Sequence, residues 1–306
     1  MEALPEPSAA GRLFTVVIAS VCDDARGDLL KRACESVRAM ASGHDHSIIV
    51  VANGPRVSSQ TLMWLESQPD VRVVRLRSGS YPLARRVGAE MAHSEFLAFL
   101  DDDDEVLPQT LGLKLAYFRE HPEVDVLVTD GFRVNGTTLT RIFPPPEARR
   151  ADLVETMLHA AWGAGAFTLR RRNVDLSAFD AEFRHLEWTL TTLELARRYQ
   201  VGYLDEPTYR YYEDTPGSLW KSAEHIFAAP EVWRRLSKSY AGTPHEAAVR
   251  RRFGAMCHNA SWEYARRGQT GAAWRLHLAS LASPGGWAYL LFSRKLLLLL
   301  LRRLFG

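Results

Sequence analysis

The segment Phe96-Leu97-Ala98-Phe99-Leu100 runs directly into Asp101-Asp102-Asp103-Asp104-Glu105. Five consecutive apolar residues bounded by charge read as a strand buried on both faces, with the acids at its carboxyl end. Adjacent carboxylates resist ionising together, so a fold that sets them at the tip of a buried strand needs counter-charge. A divalent cation is the simplest source. Oxygen ligands that leave positions for phosphate and water suit Mg2+ or Mn2+, and a phosphate-bearing ligand would follow the cation. The plain alternative for such a run is a solvated turn or a helix N-terminus.

Outward from this segment the pattern repeats. Apolar runs at Thr15–Ser20, Ser47–Val51 and Val71–Leu76 read as strands, and Leu29–Met40, Gln60–Ser67 and Pro82–Ala92 as helices between them. Strands that alternate with helices imply an α/β architecture, a mostly parallel sheet flanked by helices. Ligands of such sheets bind beyond the carboxyl ends of the strands, where Ser20 to Asp24, Asn53-Gly54 and the Asp101 cluster all fall. Further strands are expected at 124–129 and 167–169, a loop at Pro144-Pro145-Pro146, and an amphipathic helix over 186–199. Beyond Lys221 the strand signal ends. The remainder reads as helical, with a break at Ser283-Pro284-Gly285-Gly286. The expected organisation is a loose tail over 1–11, an α/β domain over 12–221, and a C-terminal helical region over 222–306.

Composition supports a globular chain: 306 residues, 46% hydrophobic and 24% charged. Cys22, Cys34 and Cys257 lie far apart and make no Cys-x-x-Cys spacing, so neither a disulfide framework nor a structural metal is indicated, and a reducing compartment is favoured. Residues 1–11 lack the pattern of a signal peptide. The net charge of +2 hides an asymmetry, because seven basic and no acidic residues follow Glu263, leaving a mildly acidic body. A basic, apolar end suggests an anionic membrane surface and not nucleic acid. On a helix from Trp287 to Phe305, Arg294, Lys295, Arg302 and Arg303 phase to one side and Leu296, Leu297, Leu300, Leu301 and Leu304 to the other. The leucine run is far short of the ~20 apolar residues a crossing needs. The expectation is therefore an interfacial helix and a peripheral location at the cytoplasmic face of a membrane, the alternative being a helix packed on the protein or at a homodimer seam.

The ordered set of segments resembles the family 2 glycosyltransferases, inverting enzymes of the GT-A fold, from about Phe14 to Leu219. The matching pieces are Val17-Ile18-Ala19-Ser20-Val21, Val51-Ala52-Asn53-Gly54-Pro55, Leu83-Ala84-Arg85-Arg86-Val87-Gly88, Phe99 to Asp104, Leu186-Glu187-Trp188, and Gly202 to Pro207 with Tyr209-Arg210-Tyr211. The resemblance implies an Asp-x-Asp motif on Asp101 and Asp103, with Asp103 the foremost metal ligand and Asp101 or Asp102 near the nucleotide ribose. The register within four aspartates stays open. It places Ala19, Ser20 and Val21 at the base-binding turn, Asn53 facing the base, Arg85 near the nucleotide or its phosphates, and Glu187 as general base. An ordinary salt bridge is the alternative for Arg85, and a helix-dipole role the alternative for Glu187. Asp180 and Glu182 are the competing acids. Trp162 and Gly163, in the loop Trp162-Gly163-Ala164-Gly165, and Trp188 are the expected sugar- and acceptor-binding residues, with packing beside a tight turn the alternative for Trp162.

Departures from the family pattern matter. Ala19-Ser20-Val21-Cys22 stands where Pro-Thr-Tyr-Asn is usual, and Ala52-Asn53-Gly54-Pro55 where Asp-Asp-Gly-Ser is usual. A missing carboxylate leaves the donor base open, although the Asn53 amide oxygen can still accept a hydrogen bond. The expected activity is metal-dependent, inverting transfer of a sugar from a nucleotide-diphosphate donor to a hydroxyl of a glycan or lipid-linked acceptor. A phosphatase of the haloacid-dehalogenase type would need the motif on an early first strand, and a sugar-nucleotide pyrophosphorylase a Gly-rich loop near the first strand; neither fits. The remaining rival is a non-catalytic, membrane-docked nucleotide-sugar-binding protein of the same fold.

Overall fold

A computed structural model describes residues 12–41, 43–77, 79–143, 152–158, 164–179, 182–215 and 223–305, the side chains of 223 and 300–305 excepted. The chain forms two compact units, one of Met1–Arg149 with Ala160–Pro216, the other of Arg150–His159 with Gly217–Gly306.

The first unit is built on a nine-stranded sheet. Strands β1 (Phe14–Ser20), β2 (His46–Asn53), β3 (Val71–Leu76) and β4 (Phe96–Asp101) run parallel in the order β3-β2-β1-β4. All seven residues of β1 are buried, as continuous apolar strands covered on both faces should be. Helices α1 (Gly27–Ala41), α2 (Ser59–Glu66) and α3 (Tyr81–Glu90) make the crossovers. Ser58 and Ser80 cap α2 and α3 through their hydroxyls, and Pro82 sits in the first turn of α3, where its missing N–H costs nothing.

Beyond β4 the sheet becomes mixed. The acidic run continues into a two-residue strand β5 (Glu105–Val106), followed by α4 (Thr110–Glu120). Strand β6 (Val126–Asn135) leads into β7 (Thr138–Arg141), and β8 (Phe167–Arg170) lies antiparallel between β4 and β6. Helix α6 (Glu187–Arg198) then leads into β9 (Val201–Tyr212), which runs parallel to β6 and antiparallel to β5. The β6–β9 register slips around Asp130, opposite Pro207. A proline cannot donate to a ladder and is tolerated at such an irregularity.

Helix α3 lies on β1 and β2 through Gly88, where an added Cβ would run into Val17 Cγ1 and reach 3.1 Å from Val51 Cγ2. Alanine is worth about 1 kcal/mol over glycine in a helix, but overpacking a tight seam costs roughly 1–3 kcal/mol. Gly88→Ala is therefore expected to lower stability, read as a lower urea midpoint at unchanged m-value. A raised midpoint would mean that α3 lifts freely from the sheet.

The second unit is helical: α5 (Leu153–Met157), α7 (Ala223–Ser239), α8 (Glu246–Arg266), α9 (Thr270–Leu281) and α10 (Leu290–Phe305). Asp152, the cap of α5, is joined to His245 at 2.7 Å. The expected break at 283–286 is present, with Gly285 at φ +79° and the tight turn Gly286–Tyr289 before α10. Phe292 and Leu296 of α10 are buried against Ala265 and Ala273. This corrects the helix phasing: Leu296 faces the unit's core and not a membrane. The side chains of Leu300, Leu301, Arg302, Arg303 and Leu304 lie outside the described residues.

Candidate active site

Parallel pairing of β1 and β4 brings the two most informative segments together, setting Ala19 opposite Asp101. Ser20 Oγ donates to Asp102 Oδ2 at 2.5 Å and accepts from the Cys22 N–H at 3.0 Å. Burial alternates along the acids: Asp102 and Asp104 are enclosed, whereas Asp101 and Asp103 keep part of their surface open. This alternation separates the four aspartates, which composition alone could not do, and leaves Asp101 and Asp103 as the pair facing outward. Burial pushes the Asp102 carboxyl up to about 6, against the pull of Arg26 and the Ser20 hydrogen bond. Burial, followed by Asp101 and Asp103, pushes Asp104 well above the carboxylate range, although it accepts from the Tyr212 N–H at 3.1 Å.

The counter-charge that the sequence reading sought from a cation is supplied in large part by arginines. Arg26 Nη1 bridges Asp102 at 2.9 Å and Asp103 at 3.0 Å. Arg32 Nε and Arg210 Nη1 hold Glu105 at 2.9 and 3.2 Å, and Arg32 Nη2 donates to the Asp103 carbonyl at 2.5 Å. Arg85 is buried between Asp101 at 2.6 Å and Glu187 at 2.5 Å. Burial disfavours its charge, but the two carboxylates outweigh burial and hold the guanidinium protonated. Arg26 and Arg32 were not singled out from sequence, and Arg210 stood in a family segment without a role. A charge balance of the acidic run asks for them, but nothing local says which distant arginines answer.

Glu187 opens α6 just after Leu186, whose φ is +60°. Among the described residues the non-glycine positions at positive φ are Leu186 and Cys22, and both flank this site. Such conformations cost roughly 1–3 kcal/mol and persist where the surroundings enforce them. Trp188, expected to meet sugar or acceptor, is instead buried: it stacks on Phe167 at 5.7 Å, meets Phe99 edge-on at 5.3 Å, and carries the Arg85 guanidinium 4.7 Å from its ring centroid. Its large ring is used in packing and in supporting Arg85, which leaves it poorly placed to take a sugar.

Asn53, expected to face the base, is buried, and its Oδ1 accepts from the Ser80 N–H at 2.8 Å, tying the end of β2 to the start of α3. One lone pair of that oxygen is thereby engaged. Trp162, Gly163 and Asp180 lie outside the described residues, and Glu182 is exposed. At Gly165, the end of the expected sugar loop, the carbonyl accepts from the buried Lys114 ammonium at 3.3 Å, and burial brings that lysine down to about 7.

Among the described residues no group of three or more His, Cys, Asp or Glu is arranged to hold a metal. Mg2+ does not need one, since it is commonly held by one or two carboxylates with phosphate oxygens and water completing the shell. The partly open pair Asp101 and Asp103 fits that mode of binding.

The strand order, the acidic tip of β4 and the acid at the start of α6 define a GT-A-like glycosyltransferase fold. The family model for glycosyl transferase family 2 matches residues 16–176, more than half of the 306-residue chain, and the chain belongs to that family. EpsJ, an uncharacterized glycosyltransferase of Bacillus subtilis strain 168, is 26% identical over 212 residues, covering 64% of this chain and 59% of EpsJ. YibD, an uncharacterized glycosyltransferase of Escherichia coli K12, is 26% identical over 184 residues, covering 54% of this chain and 52% of YibD. The match thus spans less than two thirds of either relative. Among solved structures, residues 1–349 of S. aureus TarS in complex with UDP-GlcNAc superpose with a TM-score of 0.65 at 18% identity, covering 88% of this chain and 81% of that one.

Proposed function

We propose that this chain is a metal-dependent, inverting glycosyltransferase that moves a sugar from a nucleoside-diphosphate donor to a hydroxyl of a glycan or lipid-linked acceptor. The observation that carries the reading is the Arg85 bridge. A single guanidinium links Glu187, the acid proposed for the acceptor side, to Asp101, the acid proposed for the donor side, at 2.5 and 2.6 Å. One in-line displacement needs this economy of parts: a leaving diphosphate on one side of the anomeric carbon and one base on the other.

In the proposed step the acceptor oxygen bonds to the anomeric carbon as the bond from that carbon to the diphosphate oxygen breaks, and the diphosphate leaves with the electron pair. Glu187 takes the hydroxyl proton. Its Oε1 is engaged by Arg85, so proton acceptance falls to Oε2, and the same guanidinium fixes the carboxylate against rotation. Asp103 and Asp101 would hold Mg2+ or Mn2+, which when bound supplies positive charge to the leaving diphosphate. Ser20 and Arg26 keep Asp102 in place behind them. The UDP-GlcNAc in the TarS complex supports a nucleotide-sugar donor as a class; the base of the donor is not assigned.

Thermal shift with UDP, GDP, CDP and ADP, each with and without Mn2+, tests the donor side. Binding to the native state at a hundredfold excess over Kd adds about 2.7 kcal/mol, which for a unit of this size raises Tm by about 5–10 °C. One nucleotide with Mn2+ is expected to give this shift, and Asp103→Ala to abolish both it and metal-dependent hydrolysis of the matching nucleotide-sugar. A shift without turnover would favour the non-catalytic binding protein. No shift with any nucleotide would remove the donor site.

A further inference from the structure

Helix α10 has two unlike faces. One is fixed to the helical unit: Phe292 and Leu296 are buried, Ser293 Oγ is 2.7 Å from His277 Nε2, and the Phe292 ring meets His258 and His277 edge-on at 4.9 and 5.2 Å. The other face, with the turn before it, carries large apolar side chains in the open. Leu291 is 86% exposed, Trp287 78% and Leu290 57%, with Leu297 and Leu298 both at 49%. At 100° per residue within α10, Leu291 and Leu298 fall along one stripe and Leu290 and Leu297 beside it, and Trp287 stands in the turn just before them. Soluble surfaces scatter such residues singly, and a contiguous stripe of them marks a docking face.

Charge distinguishes what docks there. Arg294 and Lys295, both exposed, lie within and beside the stripe, and Lys295 Nζ sits 5.3 Å from the ring centroid of Trp262, itself 42% exposed. Seven basic residues and no acidic one follow Glu263. A second copy of this chain, packed through the same face about a two-fold axis, would set this basic stripe against itself, an arrangement that like charges oppose. Among the described residues no helix is long and apolar enough to cross a membrane.

We propose that the stripe Trp287, Leu290, Leu291, Leu297 and Leu298, with Arg294 and Lys295, is a docking surface for an anionic lipid bilayer, on which α10 lies in the plane of the interface. The leucines enter the acyl boundary, Trp287 takes the headgroup level, and the two basic side chains extend along the apolar surface to reach lipid phosphates. The surface differs from the leucine face that phasing alone selects, because Leu296 is already used by the core. It also stands independently of sugar transfer.

Sedimentation of the full chain with phosphatidylcholine vesicles, with and without phosphatidylglycerol, tests the proposal. Binding is expected to require phosphatidylglycerol and to weaken with added salt. Leu291→Asp and, separately, the double change Arg294→Glu/Lys295→Glu are each expected to lower vesicle partitioning about tenfold or more. Helical circular dichroism should be unchanged in both, since the replaced side chains are exposed. Failure of the wild-type chain to sediment with anionic vesicles would overturn the proposal, as would equal sedimentation of wild type and both variants. So would a dimer in sedimentation velocity that Leu291→Asp dissociates, which would assign the face to a second copy.

Discussion

Glu187→Gln is expected to lower kcat for sugar transfer by about 10²–10⁴-fold, the usual contribution of a positioned general base, while the nucleotide-induced thermal shift stays at its wild-type size. Glutamine keeps the length of the side chain, and its oxygen can still accept from Arg85, which also retains Asp101. The substitution therefore removes proton acceptance and little else. Magnitude separates this role from a simpler one. An acid in a first helical turn that merely complements the helix dipole contributes roughly 0.3–1 kcal/mol, and losing it would show as a small change in Tm with kcat nearly intact. Steady-state kinetics with a saturating donor, set beside thermal unfolding of the same protein, distinguish the two. Retention of kcat within about threefold would move the base elsewhere, with the exposed Glu182 the next acid to replace.

The parts of this molecule that were legible in its sequence are those whose cause is local. Strands β1 and β4 announce themselves because a parallel strand buried on both faces must be apolar throughout, and their carboxyl ends carry Ser20 and Asp101 into one crevice by topology alone. The second half of the sheet was less readable. Strand β8 was expected at 167–169, but β9 is interrupted in sequence by Asp205-Glu206-Pro207 and offers no long apolar run; the antiparallel and parallel partners of both are decided by tertiary pairing. Most of the arginines around the acidic tip were hard to see for a related reason. Arg85 was marked only by its family segment, and Arg26 and Arg32 at the start of α1 and Arg210 in β9 were not assigned to the site, because a cation that balances a distant acid leaves no periodicity. Helix α10 shows a third limit: amphipathic phasing reveals that a helix has an apolar side, but not that Phe292 and Leu296 meet a core while Leu291 meets solvent.

Arg85→Met should be the most destabilising single change in the site. The guanidinium is buried, bonded to Asp101 and Glu187 at once and seated over Trp188. Removing one member of a buried ion pair leaves uncompensated charge, at a cost of about 3–5 kcal/mol; here two carboxylates lose their common partner, and the aromatic ring loses the cation above it. Lysine should rescue little, because a point charge on one ammonium cannot reproduce the two-pronged geometry of a guanidinium. Urea unfolding followed by tryptophan fluorescence and circular dichroism gives the loss as a lowered midpoint. The double variant Arg85→Met/Glu187→Gln supplies the decisive comparison: with one of the two facing charges neutralised, it should recover about 1 kcal/mol or more relative to Arg85→Met alone, a coupling of the size seen between groups in direct contact. A loss below about 1 kcal/mol for Arg85→Met would place the pair among solvent-screened surface bridges, and the link between donor-side and acceptor-side acids would then have no energetic basis.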